Sequence, residues 1–232
     1  MIPTLHSHAK RLAHKISRFV SNNRTRRHIV DRFTSKIGMM YFGTVSQHDD
    51  EHEITRGFTV SQSHEDGHYS VGTVGGYDVS LVDRSDSVWN DDGTMSVQNW
   101  MIMAFKLKTK QSLPHFFIGA RGYEDKPYET FFTTFPNFHP THLGTFEDYG
   151  TDFIDKYALY SRPNMAITTE RLVPPSAARV ISGHFWPLSM EQNEHVLYMY
   201  SAGQKVTLQL LESMLENGLW LAAHIDRQSE LV

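Results

Sequence analysis

From Met39 to Arg121 the sequence is a succession of short β-forming runs, and nothing else in it constrains the fold as strongly. Apolar and polar residues alternate with a period near two over 40–46, 54–61, 68–74, 77–83, 100–109 and 115–121. Such alternation predicts half-buried strands. Turn chemistry separates them at Asp49-Asp50, Asp66-Gly67, Gly75-Gly76, Asp92-Gly93 and Leu113-Pro114. Short strands joined by tight turns predict an antiparallel meander. The run Trp100-Met101-Ile102-Met103-Ala104-Phe105 is almost continuously apolar, which predicts a central strand covered on both faces.

Helical spacing flanks these strands. Leu12, Ile16, Phe19 and Val20 share one face of a predicted helix over 7–21. Asn23 or Thr25 would cap a second helix carrying Ile29, Val30, Phe33 and Ile37. Between 122 and 150, Pro127, Pro136 and Pro140 break regular structure. Strands are predicted to resume at 180–186 and 195–201. A closing helix over 204–226 carries Val206, Leu210, Leu211, Met214, Leu215, Leu219, Ala222 and Ile225 on one stripe, with Asn217-Gly218 placed to end or bend it. The pattern predicts an α+β fold: a largely antiparallel sheet, a packed C-terminal helix and one or two N-terminal helices. Residues 1–37 form a basic amphipathic helical segment, and 38–232 a single domain.

The 232 residues contain no cysteine. That removes disulfides, thiol nucleophiles, Cys-ligated zinc and iron–sulfur clusters, and fits a cytoplasmic protein. No run of about 18 apolar residues predicts a membrane span, and no apolar stretch after the early basic residues predicts a secretory signal. The net charge of −4 is unevenly divided. Residues 1–37 hold nine Lys/Arg and one acid, while the other 195 hold 13 basic and 25 acidic residues. A segment of +8 on a body of −12 needs a counter-charge. Lys10, Arg11, Lys15, Arg18, Arg24, Arg26 and Arg27 are therefore candidate contacts to an anionic surface. That surface is a membrane, nucleic acid, a protein partner, or the acidic body itself. The same composition also suits a transit peptide.

Other motifs carry less. His64-Glu65-Asp66-Gly67-His68 spells H-E-x-x-H, which on a helix binds zinc and supplies a general base. Here Asp66-Gly67 is a turn signal between β-formers, so the string reads as a solvated hairpin tip. With His48-Asp49-Asp50-Glu51-His52-Glu53 it makes His48, His52, His64 and His68 candidate ligands for a divalent metal, and a metal-dependent hydrolase the alternative to a binding module. Gly72-Thr73-Val74-Gly75-Gly76 lacks the following Lys-Ser/Thr and helix of a phosphate loop, and reads as a hairpin turn. The acids around Phe146, Phe153 and Tyr157 read as solvated and the rings as core anchors. His139, His142 and His184 read as structural. No nucleophile elbow, kinase set or cofactor motif occurs.

Several core motifs recur in a familiar order. They are Y-S-V-G-T-V-G-G-Y-D-V-S-L-V-D from Tyr69 to Asp83, the Trp100-to-Leu107 strand, Leu113-Pro114-His115-Phe116-Phe117-Ile118, Phe153-Ile154-Asp155-Lys156-Tyr157-Ala158-Leu159-Tyr160, and the apolar helix from Leu210 to Ile225. The series resembles a family of bacterial proteins defined only as a domain of unknown function, over roughly 68–226. The resemblance implies a fold and no catalytic residue. Members of that family often follow N-terminal membrane helices. Here a basic amphipathic segment stands in their place, which implies peripheral contact with a membrane.

Overall fold

The computed structural model describes residues 24–45, 64–89, 93–122, 135–141 and 148–231. Residues 24–37 form helix α1. Strands β1 (Met40–Val45), β2 (His64–Val74), β3 (Tyr77–Trp89) and β4 (Met95–Lys106) follow, then β5 (Phe116–Ala120) and the short β6 (His139–Pro140). Next come α2 (Thr151–Lys156), β7 (Tyr157–Ser161), a 3-10 turn at Pro163–Met165, α3 (Ala166–Leu172) and α4 (Pro175–His184). Strands β8 (Ser189–Asn193) and β9 (Val196–Ala202) form a hairpin before the last helix, α5 (Leu208–Ser229).

The nine strands among the described residues join one sheet in the order β1-β2-β3-β4-β9-β8-β5-β7-β6, with antiparallel pairing throughout. The α+β expectation holds, and β1 to β4 pair in sequence order as a meander would. The order then departs from it. The β8–β9 hairpin lies between β4 and β5, so β4 gains neighbours on both sides. The sequence required that of a strand with no polar face.

Two further expectations fail. Residues 180–186 are not a strand, because α4 runs to His184. Pro175 occupies the first helical turn, where its missing N–H costs nothing. Ala177, Ala178, Ile181 and Phe185 then recur with helical spacing and are buried. Asn217-Gly218 neither ends nor bends the closing helix, which continues to Ser229 behind a Thr207 cap whose Oγ1 accepts from Leu210 N at 3.1 Å. Gly218 serves a close approach instead. A Cβ there would clash with Cε2 and Cζ of the buried Phe105 on β4. Gly218→Ala should therefore destabilise by up to about 2 kcal/mol, since overpacking a core costs roughly 1–3 and helix propensity returns about 1. Urea unfolding measures this, and a variant more stable than the parent would refute it.

The sheet buries both faces. Helices cover one face, where Leu81, Met103, Phe105, Phe116, Ile118 and Met199 meet Leu211, Met214, Leu221 and Ile225 of α5. Val30 and Phe33 of α1 belong to this same core. The opposite face carries Val82, Trp100, Ile102, Phe117, Tyr198 and Tyr200, with Phe138 packed on them. The predicted helix at 7–21 and strand at 54–61 lie outside the described residues.

Candidate binding surface

Helix α1 carries two stripes. Val30, Phe33 and Thr34 point into the body and are buried, with Ile29 and Ile37 partly so. Arg24, Arg27, His28, Asp31 and Arg32 follow the i, i+3, i+4, i+7, i+8 spacing of a second stripe, and all are exposed. Thus three arginines and one histidine face outward with a single acid among them.

The body claims two other cations of the helix. Arg26 Nε lies 2.5 Å from Asp83 Oδ2 on β3, and Lys36 Nζ lies 2.6 Å from Glu212 Oε1 on α5. The Lys36 pair is exposed and holds little energy. The Arg26 pair is more enclosed. Burial pushes the Asp83 carboxyl up to about 6, and the Arg26 guanidinium opposes that rise without cancelling it. The folded state thus holds this proton more tightly than the unfolded chain, and the resulting stability is lost as pH rises from about 4 through 6. Across that window Asp83→Asn should remove a loss of about 2–3 kcal/mol. Thermal unfolding of both proteins between pH 4 and 7 tests this. Parallel pH profiles would refute it.

Of the predicted anion contacts, Arg24 and Arg27 stand exposed on the outer stripe and Arg26 turns to Asp83. Lys10, Arg11, Lys15 and Arg18 lie outside the described residues. The Arg27 charge acts on Tyr41, whose phenol is raised mainly by burial, and on His68, whose imidazole is lowered first by burial and then by Arg26 and Arg27.

The H-E-x-x-H string is not a hairpin tip. It lies within β2, paired with β3 from His64↔Asp86 to Gly67↔Asp83. Asp66 is buried and bridged by Arg84, whose Nε and Nη2 donate to its two oxygens at 2.7 and 2.8 Å. A turn reading required Asp66 to face water, whereas the cross-strand guanidinium satisfies it inside. Register breaks between Gly67 and Ser70, where His68 adopts φ 54. This bulge turns His68 toward Tyr41, with Oη and Nδ1 2.8 Å apart. His64 Nε2 instead lies 3.8 Å from Asp66 Oδ2. The two histidines therefore serve different partners. Among the described residues, no group of three or more His, Asp or Glu is arranged to hold a metal. His48 and His52 lie outside them. The glycine-rich stretch does form the β2–β3 turn, with Gly75 and Gly76 at φ 59 and 77.

Sequence reasoning missed a polar layer on the face opposite the helices. Glu191 of β8 is fully buried. Its Oε2 accepts from Tyr200 Oη at 2.6 Å, and its Oε1 lies 2.7 Å from His115 Nε2. The His115 ring meets Phe135 and Phe138 edge-on. Burial and the Glu191 charge push the Tyr200 phenol well up, so it stays a donor. Arg84, Asp66, Trp100, Tyr200 and Glu191 thus bring charges and aromatic donors into an otherwise apolar face. The Arg84–Asp66 and Tyr200–Glu191 hydrogen bonds, each joining different strands, help to fix one arrangement of the sheet. Only Ser-Met-Glu-Gln-Asn, a polar run before the strand at 196–202, marked it in the sequence.

This architecture has a solved counterpart. The chain is similar to the crystal structure of the mycobacterial trehalose monomycolate transport factor A, TtfA, with a TM-score of 0.55 over 88% of this chain and 94% of that one. The two sequences are 10% identical, so the likeness is one of fold. No family model matches the chain, and no curated protein matches it.

Proposed function

We propose that this protein is a non-catalytic binding module whose basic N-terminal segment, displayed on α1, contacts an anionic surface. One observation carries the reading. Val30, Phe33 and the Arg26–Asp83 pair fix α1 on the body, and that docking leaves Arg24, Arg27, His28 and Arg32 aligned outward. A fixed row of guanidinium groups suits phosphate or carboxylate oxygens, which it meets with forked hydrogen bonds. The acidic body takes Arg26 and Lys36 and leaves the outer row to another partner. The solved neighbour is named a transport factor and not an enzyme, which favours a non-catalytic use of this fold. No helix among the described residues is long and apolar enough to cross a membrane, so contact by this part of the chain would be peripheral. The resemblance to bacterial domains that follow membrane helices points the same way.

The full chain tests this with anionic vesicles and with heparin, at low and high salt. Binding to at least one polyanion that weakens with salt is expected. No binding to either, or binding indifferent to salt, would overturn it.

A further inference from the structure

We infer that the end of the β3–β4 hairpin is the dock for this chain's own first amphipathic segment, with Leu12, Ile16, Phe19 and Val20 covering Met95 and Val97. The docking needs no bound anion and goes beyond the anionic-surface reading.

Strands β3 and β4 outrun their neighbours. They pair without a break from Val79↔Phe105 to Trp89↔Met95, whereas β2 follows β3 only to Asp86 and β9 follows β4 only from Trp100 to Lys106. Met95 and Val97 lie in the part left over. They alternate in phase with Met101, Met103 and Phe105, so they belong to the face that the helices cover. Helix cover stops short of them: each is 56% accessible, against 2% for Met101.

Helix α1 starts next to this end. Its Arg26 meets Asp83. Beyond its far end, Met39 lies against Gly72, whose partner on β3 is Val79. The helix therefore runs back along β3, and the chain before Arg24 arrives at the leftover hairpin. The lengths agree. From Asp83 to Trp89 the strand rises about 20 Å. A helix over 10–21 rises about 18 Å, with Asn22 and Asn23 as the joint. Residues 7–21 lie outside the described residues, and their sequence supplies an apolar stripe of matching length. Charge agrees as well. In this placement Lys10 and Arg11 come level with the β3–β4 connection, which contains Asp91 and Asp92.

The test uses the full chain, which has no cysteine of its own. A short bismaleimide should join Ile16→Cys to Val97→Cys within one chain. It should not join Ile16→Cys to Met40→Cys, because Met40 is 63% accessible but lies on the other face from Met39 and Tyr41. Maleimide labelling of Ile16→Cys alone gives a second readout, and should quicken about ten-fold when Met95→Ser and Val97→Ser are added. Both of these positions are exposed, so the variants stay folded. A crosslink between two chains in place of one within a chain overturns the inference in favour of a second copy on the hairpin. No crosslink, equal crosslinking to Met40→Cys, or labelling that the serine substitutions leave unchanged also overturns it. None of these results touches the anionic-surface reading, which vesicles and heparin test separately.

Discussion

Arg84→Ala should cost about 3–5 kcal/mol of stability, which for a domain of this kind is a large part of the total. Arg84 has no exposed surface and Asp66 almost none. Two hydrogen bonds join them across β2 and β3. Removing the guanidinium leaves a carboxylate in the sheet with its compensating charge gone. Replacing both partners at once, Asp66→Leu with Arg84→Met, leaves no orphaned charge and should cost much less. Denaturant unfolding of the single and double variants decides this. A double variant as damaged as the single one would show that the pair's mutual compensation is not what holds this region.

Phe33→Ala should be similarly severe, at about 3–5 kcal/mol, the usual loss for a buried phenylalanine. Phe33 and Val30 are both fully buried in the core beneath the helices. The basic segment therefore cannot be removed as a passive tail. Deleting residues 1–37 takes out Val30, Phe33, Thr34 and the Arg26 partner of Asp83 together. Such a chain should lose cooperative unfolding or melt far below the parent. A truncated protein with the parent's melting temperature would contradict the core role of α1. Charge changes on the outer stripe are thus the proper probe of binding, because they spare the buried stripe.

Much of this fold was legible in local patterns. Period-two alternation located β1 to β5 and β9, and the apolar stripe located α5. Each of those signals depends on residues near one another in sequence. The failures lie where distant contacts decide. Val180 and Ile181 resemble a strand in isolation, but Ala177, Ala178 and Phe185 extend the buried set into a helix. Residues 189–193 look like a loop because Glu191 and Gln192 are polar, yet both are buried, and Tyr200 and His115 satisfy Glu191 from other strands. Asp66-Gly67 signals a turn until Arg84 arrives from the next strand. Gly218 resembles a helix stop until Phe105 shows what its missing side chain admits.

The candidate surface was legible to a similar depth. Charge counting found the basic segment. It could not separate Arg26, which the body takes, from Arg24 and Arg27, which it leaves outside. That sorting depends on the position of Asp83 on β3. The exposure of Met95 and Val97 was also hidden, because alternation within a strand does not say where the helix cover ends.

The most direct measurement is vesicle partitioning of Arg24→Gln, Arg27→Gln and Arg32→Gln combined in the full chain. These side chains are exposed, so the melting temperature should hold. Each basic residue near an anionic membrane contributes about 1 kcal/mol, so the triple variant should bind on the order of 100-fold more weakly. A folded triple variant that partitions as strongly as the parent would contradict the assignment of α1 as the binding surface.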